Sequence, residues 1–106
     1  KNAAGDLGTS IRWSVKELPY FTQWKNTAAE ADGTVTGLEP GTNYPYNRSV
    51  ERRAGRLSKL DAGQSRQFRL DFGLHQGAKA VEEIAGQIAK IQGDRKPKVV
   101  KQAPKE

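Results

Sequence analysis

The sequence predicts a mainly β chain, an antiparallel sheet with one α-helix near the C-terminal end. Apolar and polar residues alternate through several segments, which is the period of a half-buried strand. After Gly77 the apolar residues instead recur at helical spacing. Eleven glycines and five prolines among 106 residues also favour a turn-rich β protein. A chain of this length is expected to form one domain.

Three strands are predicted in the first 39 residues. Residues 9–16 alternate between apolar and polar side chains, as a half-buried strand does. Residues 18–25 are aromatic and rich in β-forming types. A polar connector then ends in the turn signal Asp32-Gly33, and residues 34–39 form the third strand.

The next part of the chain combines a long loop with the clearest strand. Residues 40–56 lack periodicity, and structureless segments of that length in compact domains are usually functional or disordered. A short strand is predicted at residues 57–60. Residues 65–74 alternate cleanly and predict a strand with one buried apolar face. That face is expected to carry Phe68, Leu70, Phe72 and Leu74.

The C-terminal part predicts a helix followed by a tail. Residues 77–92 carry an apolar stripe at helical spacing, and Gly93 ends the pattern. The folded portion is therefore expected to span residues 1–93. Residues 94–106 hold five basic and two acidic residues, half of the net charge of +6. With little apolar content to bury, this basic tail is expected to be disordered.

Composition limits the cellular setting. No stretch of the sequence is long and apolar enough to predict a membrane span. The chain has no cysteine, which excludes disulfides and thiolate metal sites and is compatible with a cytoplasmic location. We expect no metal or other cofactor and no membrane partner.

Glu39 is the candidate for acid–base chemistry. It stands where a short apolar strand meets Pro40, directly before the polar, aromatic loop. Its apolar neighbours Leu38 and Pro40 predict poor hydration, which favours a general base. The alternative is a structural carboxylate that accepts hydrogen bonds from turn amides. In the loop itself, Tyr44 and Tyr46 are candidates for stacking on a ligand.

Three segments in order resemble a known family. They read YFTQWKN at residues 20–26, GLEP at 37–40 and LSKLDAGQSR at 57–66. Together they resemble the C-terminal part of aldose 1-epimerase-like proteins, the galactose mutarotase-like carbohydrate isomerases. The likeness is strongest to a bacterial-type branch of that superfamily. It implies a portion of a large antiparallel β-sandwich, the supersandwich, with a sugar-binding groove.

The resemblance also implies a mechanism and its residues. In that family a glutamate removes the proton of the anomeric hydroxyl while an upstream histidine protonates the ring oxygen. Glu39 matches the position of that glutamate. Trp24 and Lys25 resemble residues flanking the groove, and the loop residues Asn43 and Arg48 are further expected sugar ligands. The partner is thus a small-molecule sugar.

The resemblance covers only the last part of such a domain. The family's histidine lies before the region matched by this sequence, so the acid partner is missing. The chain is therefore expected to be a portion of a longer protein, inactive alone and completed by the N-terminal portion of the same domain. The alternative is a non-catalytic basic module for nucleic acid or an acidic partner, with arginines 48, 52, 53, 66 and 69 on one stripe. Nucleic acid is the less expected partner, because half of the positive charge lies in the tail.

Overall fold

A computed structural model describes residues 1–101 of the chain. The described residues form two units, one made of residues 1–12 with the chain from Asp71 onward and the other of residues 13–70. The elements in chain order are β1 (Leu7–Trp13), β2 (Tyr20–Lys25), a 3-10 turn (Glu30–Asp32), β3 (Thr36–Gly41), α1 (Arg48–Arg53), β4 (Leu70–Gln76) and α2 (Ala78–Gln92). The predicted class, mainly β with one main helix near the C-terminal end, is confirmed.

In the first unit, β1 and β4 form a two-stranded sheet. The strands are antiparallel, because Gly77 N donates to Asp6 O at one end (2.7 Å) while Gly73 lies beside Ser10 further along. Ser10 Oγ and His75 Nε2 are hydrogen-bonded at 2.8 Å across the two strands. This contact gives His75 a structural role within the sheet.

Helix α2 packs on the face of this sheet that carries Gly8 and Ser10. It follows Gly77, whose φ of 90° suits glycine, and it ends at Gly93, so the predicted helix is confirmed. Val81 is only 2% exposed, and a Cβ at Gly8 would lie 3.7 Å from its methyl group. The small residues of β1 therefore let the helix approach closely.

The predicted burial of β4 is wrong in this chain. The strand begins at Leu70, so residues 65–69 are not part of it. Phe72 and Leu74 are 77% and 74% exposed, whereas Gly73 and His75 are half-buried. The physical reason is that α2 covers the Gly73 face, and nothing among the described residues buries the apolar face that the alternation predicts.

In the second unit, β2 and β3 form an antiparallel hairpin with Tyr20 opposite Gly41 and Lys25 opposite Thr36. Leu18 is buried just before β2, and its carbonyl accepts a hydrogen bond from Trp13 Nε1 at 3.0 Å. The Trp13 ring stacks on Phe21 with centroids 5.3 Å apart. These contacts hold one end of the hairpin.

Two predictions for residues 40–60 are wrong. The segment expected to be structureless contains α1, and no strand forms at residues 57–60, where Leu60 is 57% exposed. Helix α1 forms because Asn47 caps it: its side-chain oxygen accepts from Ser49 N at 3.0 Å. The helix is too short to show an apolar period.

The predicted tail is described only in part. Residues 94–101 have no helix or strand and are exposed. The remainder of the tail, residues 102–106, lies outside the described residues.

Candidate functional site

One face of the β2–β3 hairpin carries Glu39, which has no side chain beside it on its own strand. Residues directly opposite each other in an antiparallel pair project to the same face, and alternate residues of a strand share it. Glu39 lies opposite Thr22, and its neighbours on that face of β3, Gly37 and Gly41, have no side chains. The carboxylate therefore has no neighbouring side chain along its own strand, although the carbonyl oxygen of Asn43 lies 3.1 Å from where a Cβ at Gly41 would stand.

The gap at Gly37 brings Glu39 toward Trp24. Gly37 lies opposite Trp24, and a Cβ at Gly37 would come within 2.5 Å of Glu39 Oε1 and 3.2 Å of Trp24 Cβ. Real Cβ atoms do not approach so closely, so the observed position of the carboxylate requires glycine at this residue. Trp24 remains 50% exposed and offers an apolar ring surface beside the carboxylate.

Of the five predicted site residues, the structure brings Glu39 and Trp24 together. Lys25 follows Trp24 directly and so projects from the opposite face of the hairpin. Asn43 uses its side-chain amide locally, with Nδ2 donating to Tyr44 O at 2.7 Å. Arg48 is exposed in the first turn of α1. Asn43 and Arg48 therefore lie in the segment beyond β3.

Glu39 is exposed in this chain. Its surroundings here are thus not the poorly hydrated ones that Leu38 and Pro40 predict. The reason is geometric, because both flanking side chains project to the opposite face of the hairpin. On its own face Glu39 has only glycines as strand neighbours.

A second acidic group in the same unit, Glu51 of α1, is fully buried and was not predicted. Both of its carboxylate oxygens accept from Arg56, with Nη2 to Oε1 at 2.6 Å and Nε to Oε2 at 2.8 Å. Oε2 also accepts from Tyr44 N at 3.2 Å. Three donors therefore converge on one carboxylate and tie α1 to the segment that follows β3.

The electrostatics of this pair follow from its hydrogen bonds. The Arg56 side chain holds the pKa of Glu51 below its ordinary value of 4.5, helped by the Tyr44 N–H, although burial opposes the shift. The same hydrogen bonds raise the pKa of Arg56. Both groups are therefore charged at neutral pH. The sequence does offer one signal for α1, and therefore for Glu51: Asn47 is a residue type that commonly caps the start of a helix.

Aromatic rings extend from this pair back to the hairpin. The Arg56 guanidinium lies 5.3 Å from the centroid of the Tyr44 ring. Tyr44 in turn contacts Tyr20 of β2, at 4.6 Å between centroids, and Tyr46 at 6.2 Å. Because Tyr20 lies opposite Gly41, it shares the face of Glu39. The carboxylate thus has Trp24 on one side and the tyrosines on the other.

The arginines of the alternative interpretation are not all available. The side chain of Arg66 donates to Ser58 Oγ at 2.5 Å and to Glu17 O at 3.3 Å, and it lies 5.2 Å from the Phe68 ring centroid. Arg48, Arg52 and Arg53 are exposed on α1. The side chain of Arg66 is therefore held by neighbours within its own unit, whereas the arginines of α1 are exposed.

Residues 1–101 contain neither a membrane-spanning helix nor a metal-binding cluster. No helix there has the length and apolar character needed to cross a membrane. In the same residues, no three histidine, cysteine, aspartate or glutamate side chains lie close enough to hold a metal ion.

Comparison with solved structures finds a putative aldose 1-epimerase from Klebsiella pneumoniae subsp. pneumoniae MGH 78578. It is 45% identical to this chain, with a TM-score of 0.82 over 90% of the chain. The chain spans only 25% of that protein's length. The resemblance to aldose 1-epimerase-like proteins is thereby confirmed, and the mainly antiparallel β fold agrees with a galactose mutarotase-like protein.

The chain was also compared with curated proteins and with protein families. No curated protein matches the chain. A family match covers residues 1–74, which include β1, β2, β3 and α1. The chain therefore belongs to the family described as a domain of unknown function, DUF4432.

Proposed function

We propose that this chain is part of a longer carbohydrate-binding protein that interconverts the anomers of an aldose. The observation that carries the proposal is the face of the β2–β3 hairpin, where Glu39 stands between two glycines and beside Trp24. The likeness to a protein described as a putative aldose 1-epimerase supports the same substrate class.

In this proposal Glu39 is the general base. Its carboxylate removes the proton of the anomeric hydroxyl, and the ring C–O bond then breaks as the ring oxygen takes a proton from an acid. Rotation about the intact C1–C2 bond of the open-chain aldehyde and renewed attack of the ring oxygen on C1 give the other anomer, and the two protons return along the reverse path. The acid comes from the remainder of the longer protein, as the family resemblance implies.

The neighbours of Glu39 would bind the sugar. The exposed ring of Trp24 suits the apolar C–H face of a pyranose. Because Gly37 and Gly41 have no side chains, no neighbouring side chain of β3 would stand between the sugar and the carboxylate. Asn43 and Arg48 stay predicted ligands of the sugar hydroxyls. Lys25 would reach the substrate only if the opposite face of the hairpin also takes part.

The test is anomer interconversion by the longer protein, followed by polarimetry with D-glucose and D-galactose. Glu39→Gln keeps the size of the side chain and removes the base, so we expect kcat to fall by about 10²–10⁴-fold. Glu30→Gln removes an exposed carboxylate of the 3-10 turn and serves as the control. Equal rates in the Glu39→Gln variant and the wild type would refute the assignment.

The alternative, a basic module for nucleic acid or an acidic partner, is less well supported. Arg66 is engaged with its own unit, and this leaves the exposed arginines of α1 as the available cluster. Binding through them would weaken steeply with salt. Sugar binding should depend little on salt, so one titration series separates the two functions.

A further inference from the structure

We propose that Tyr44 contacts the sugar bound at Glu39, and that the buried Glu51–Arg56 pair is the positioning device that holds Tyr44 there. This inference rests on the proposed function, because it assigns further residues to the same site. It adds an aromatic contact on the side of Glu39 opposite Trp24.

The first step concerns the cost of the buried pair. Removing two charges from water is unfavourable, and well-packed apolar residues of similar volume often stabilise a protein more. Glu51 nevertheless has no exposed surface, and its carboxylate is satisfied by Arg56 and the Tyr44 N–H. An arrangement of this kind supplies directional contacts that an apolar cluster does not. Those contacts converge on Tyr44.

The second step concerns how Tyr44 is held. Glu51 accepts from its backbone N–H, the Arg56 guanidinium lies over its ring, and Tyr20 packs against the ring at 4.6 Å. The residue is still 36% exposed. A ring that is restrained by several neighbours and partly open loses little conformational entropy when a ligand stacks on it.

The third step places this ring relative to Glu39. Tyr20 lies opposite Gly41, which is two residues from Glu39 along β3. Two residues of a strand span about 6–7 Å. Trp24 stands at the same separation on the other side, opposite Gly37. The carboxylate therefore lies between two aromatic surfaces, and a sugar whose anomeric hydroxyl reaches Glu39 extends toward one of them.

The expected kinetic signature is a change in KM without a change in kcat. Stacking on a part of the sugar remote from the reacting bond is equal in the ground state and the transition state. In the longer protein, Tyr44→Leu should therefore raise KM for D-glucose or D-galactose by about tenfold, the scale of one good aromatic contact. Tyr44→Phe retains the ring and should keep KM near the wild-type value.

The positioning role is tested by a double-mutant cycle. Glu51→Gln removes the charge that holds Arg56 and should raise KM as Tyr44→Leu does. The double variant should show no further increase, because both changes remove one contact. Arg56→Lys replaces the guanidinium plane with a flexible ammonium, and it serves if Glu51→Gln does not fold. Phe68→Leu, which removes a partly exposed ring outside the hairpin, is the matched control and should leave KM unchanged.

Calorimetric titration with the same sugars separates this inference from the proposed function. If Glu39→Gln abolishes interconversion while Tyr44→Leu changes neither KM nor sugar affinity, the positioning inference is wrong and the proposed function stands. If the protein binds the sugars without interconverting them and Tyr44→Leu weakens that binding, the inference holds and the catalytic proposal fails. Absence of binding to both sugars overturns both.

Discussion

At the scale of the residue, the absence of side chains matters as much as their presence. The face of β3 around Glu39 reads glycine, glutamate, glycine, so one charged group projects from otherwise bare backbone. Alternation within a strand also separates two of the predicted site residues. Trp24 and Lys25 are consecutive, and consecutive residues of a strand cannot share a face. Only Trp24 lies beside Glu39.

Gly37→Ala tests whether the position that Gly37 allows the Glu39 carboxylate to take is functional. The new Cβ would lie 2.5 Å from Glu39 Oε1, so the carboxylate must move. A displacement of about 1 Å at a reacting group lowers the rate by about 10²-fold, and we expect a loss of that size in kcat/KM of the longer protein.

The control for Gly37→Ala is Gly86→Ala in α2, where the added methyl group meets no atom within 4 Å. Alanine favours a helix interior by about 1 kcal/mol over glycine, so this variant should be active and somewhat more stable. Unchanged kcat/KM in Gly37→Ala, measured by the same polarimetric assay, would show that the position of Glu39 is unimportant.

At the scale of the element, the helix with a long apolar period could be predicted from the sequence, whereas the short helix could not. Helix α2 follows from a sustained apolar stripe, and the glycines at its two ends mark its bounds. Helix α1 has six residues, of which Val50 alone is apolar, so no period exists to detect. Its buried residue is charged, and a buried glutamate has no signature in composition. The burial of Glu51 depends instead on its hydrogen bonds with Arg56 and Tyr44.

The ion pair between Glu51 and Arg56 predicts a dependence of stability on pH. The pKa of Glu51 lies below its ordinary value of 4.5 in the folded protein because Arg56 hydrogen-bonds to the charged form. The stabilisation is therefore fully present above about pH 4.5 and is lost as the pH falls through the folded pKa. We expect the free energy of unfolding, measured with urea, to decrease over that acidic range.

The variant Glu51→Gln identifies the source of that decrease. It cannot titrate at this position, so its stability should vary less with pH below about 4.5 than that of the wild type. Glu82→Gln, which removes an exposed carboxylate of α2, should keep the wild-type dependence. Identical pH profiles for Glu51→Gln and the wild type would mean that the buried pair does not contribute through this linkage.

At the scale of the whole molecule, the described residues leave one predicted apolar face uncovered. The alternation in β4 correctly identifies an apolar face, yet Phe72 and Leu74 of that face are largely exposed. Large exposed apolar side chains that lie together commonly mark surfaces that another partner covers. The similar Klebsiella protein is much longer, because 90% of this chain covers only 25% of it. We propose that the remainder of the longer protein covers this face.

Phe72→Ala measured in two contexts tests that proposal. In the 106-residue chain the ring is 77% exposed, so its removal should change the free energy of unfolding by no more than about 0.5 kcal/mol. In the longer protein the ring would be part of a core, and the same substitution should cost about 3–5 kcal/mol. Val81→Ala controls for the context, because Val81 is already buried between α2 and β1, and its substitution should cost about 2 kcal/mol in both proteins. A small effect of Phe72→Ala in both proteins would mean that this face stays open to water. The proposal that the remainder of the longer protein covers it would then be wrong.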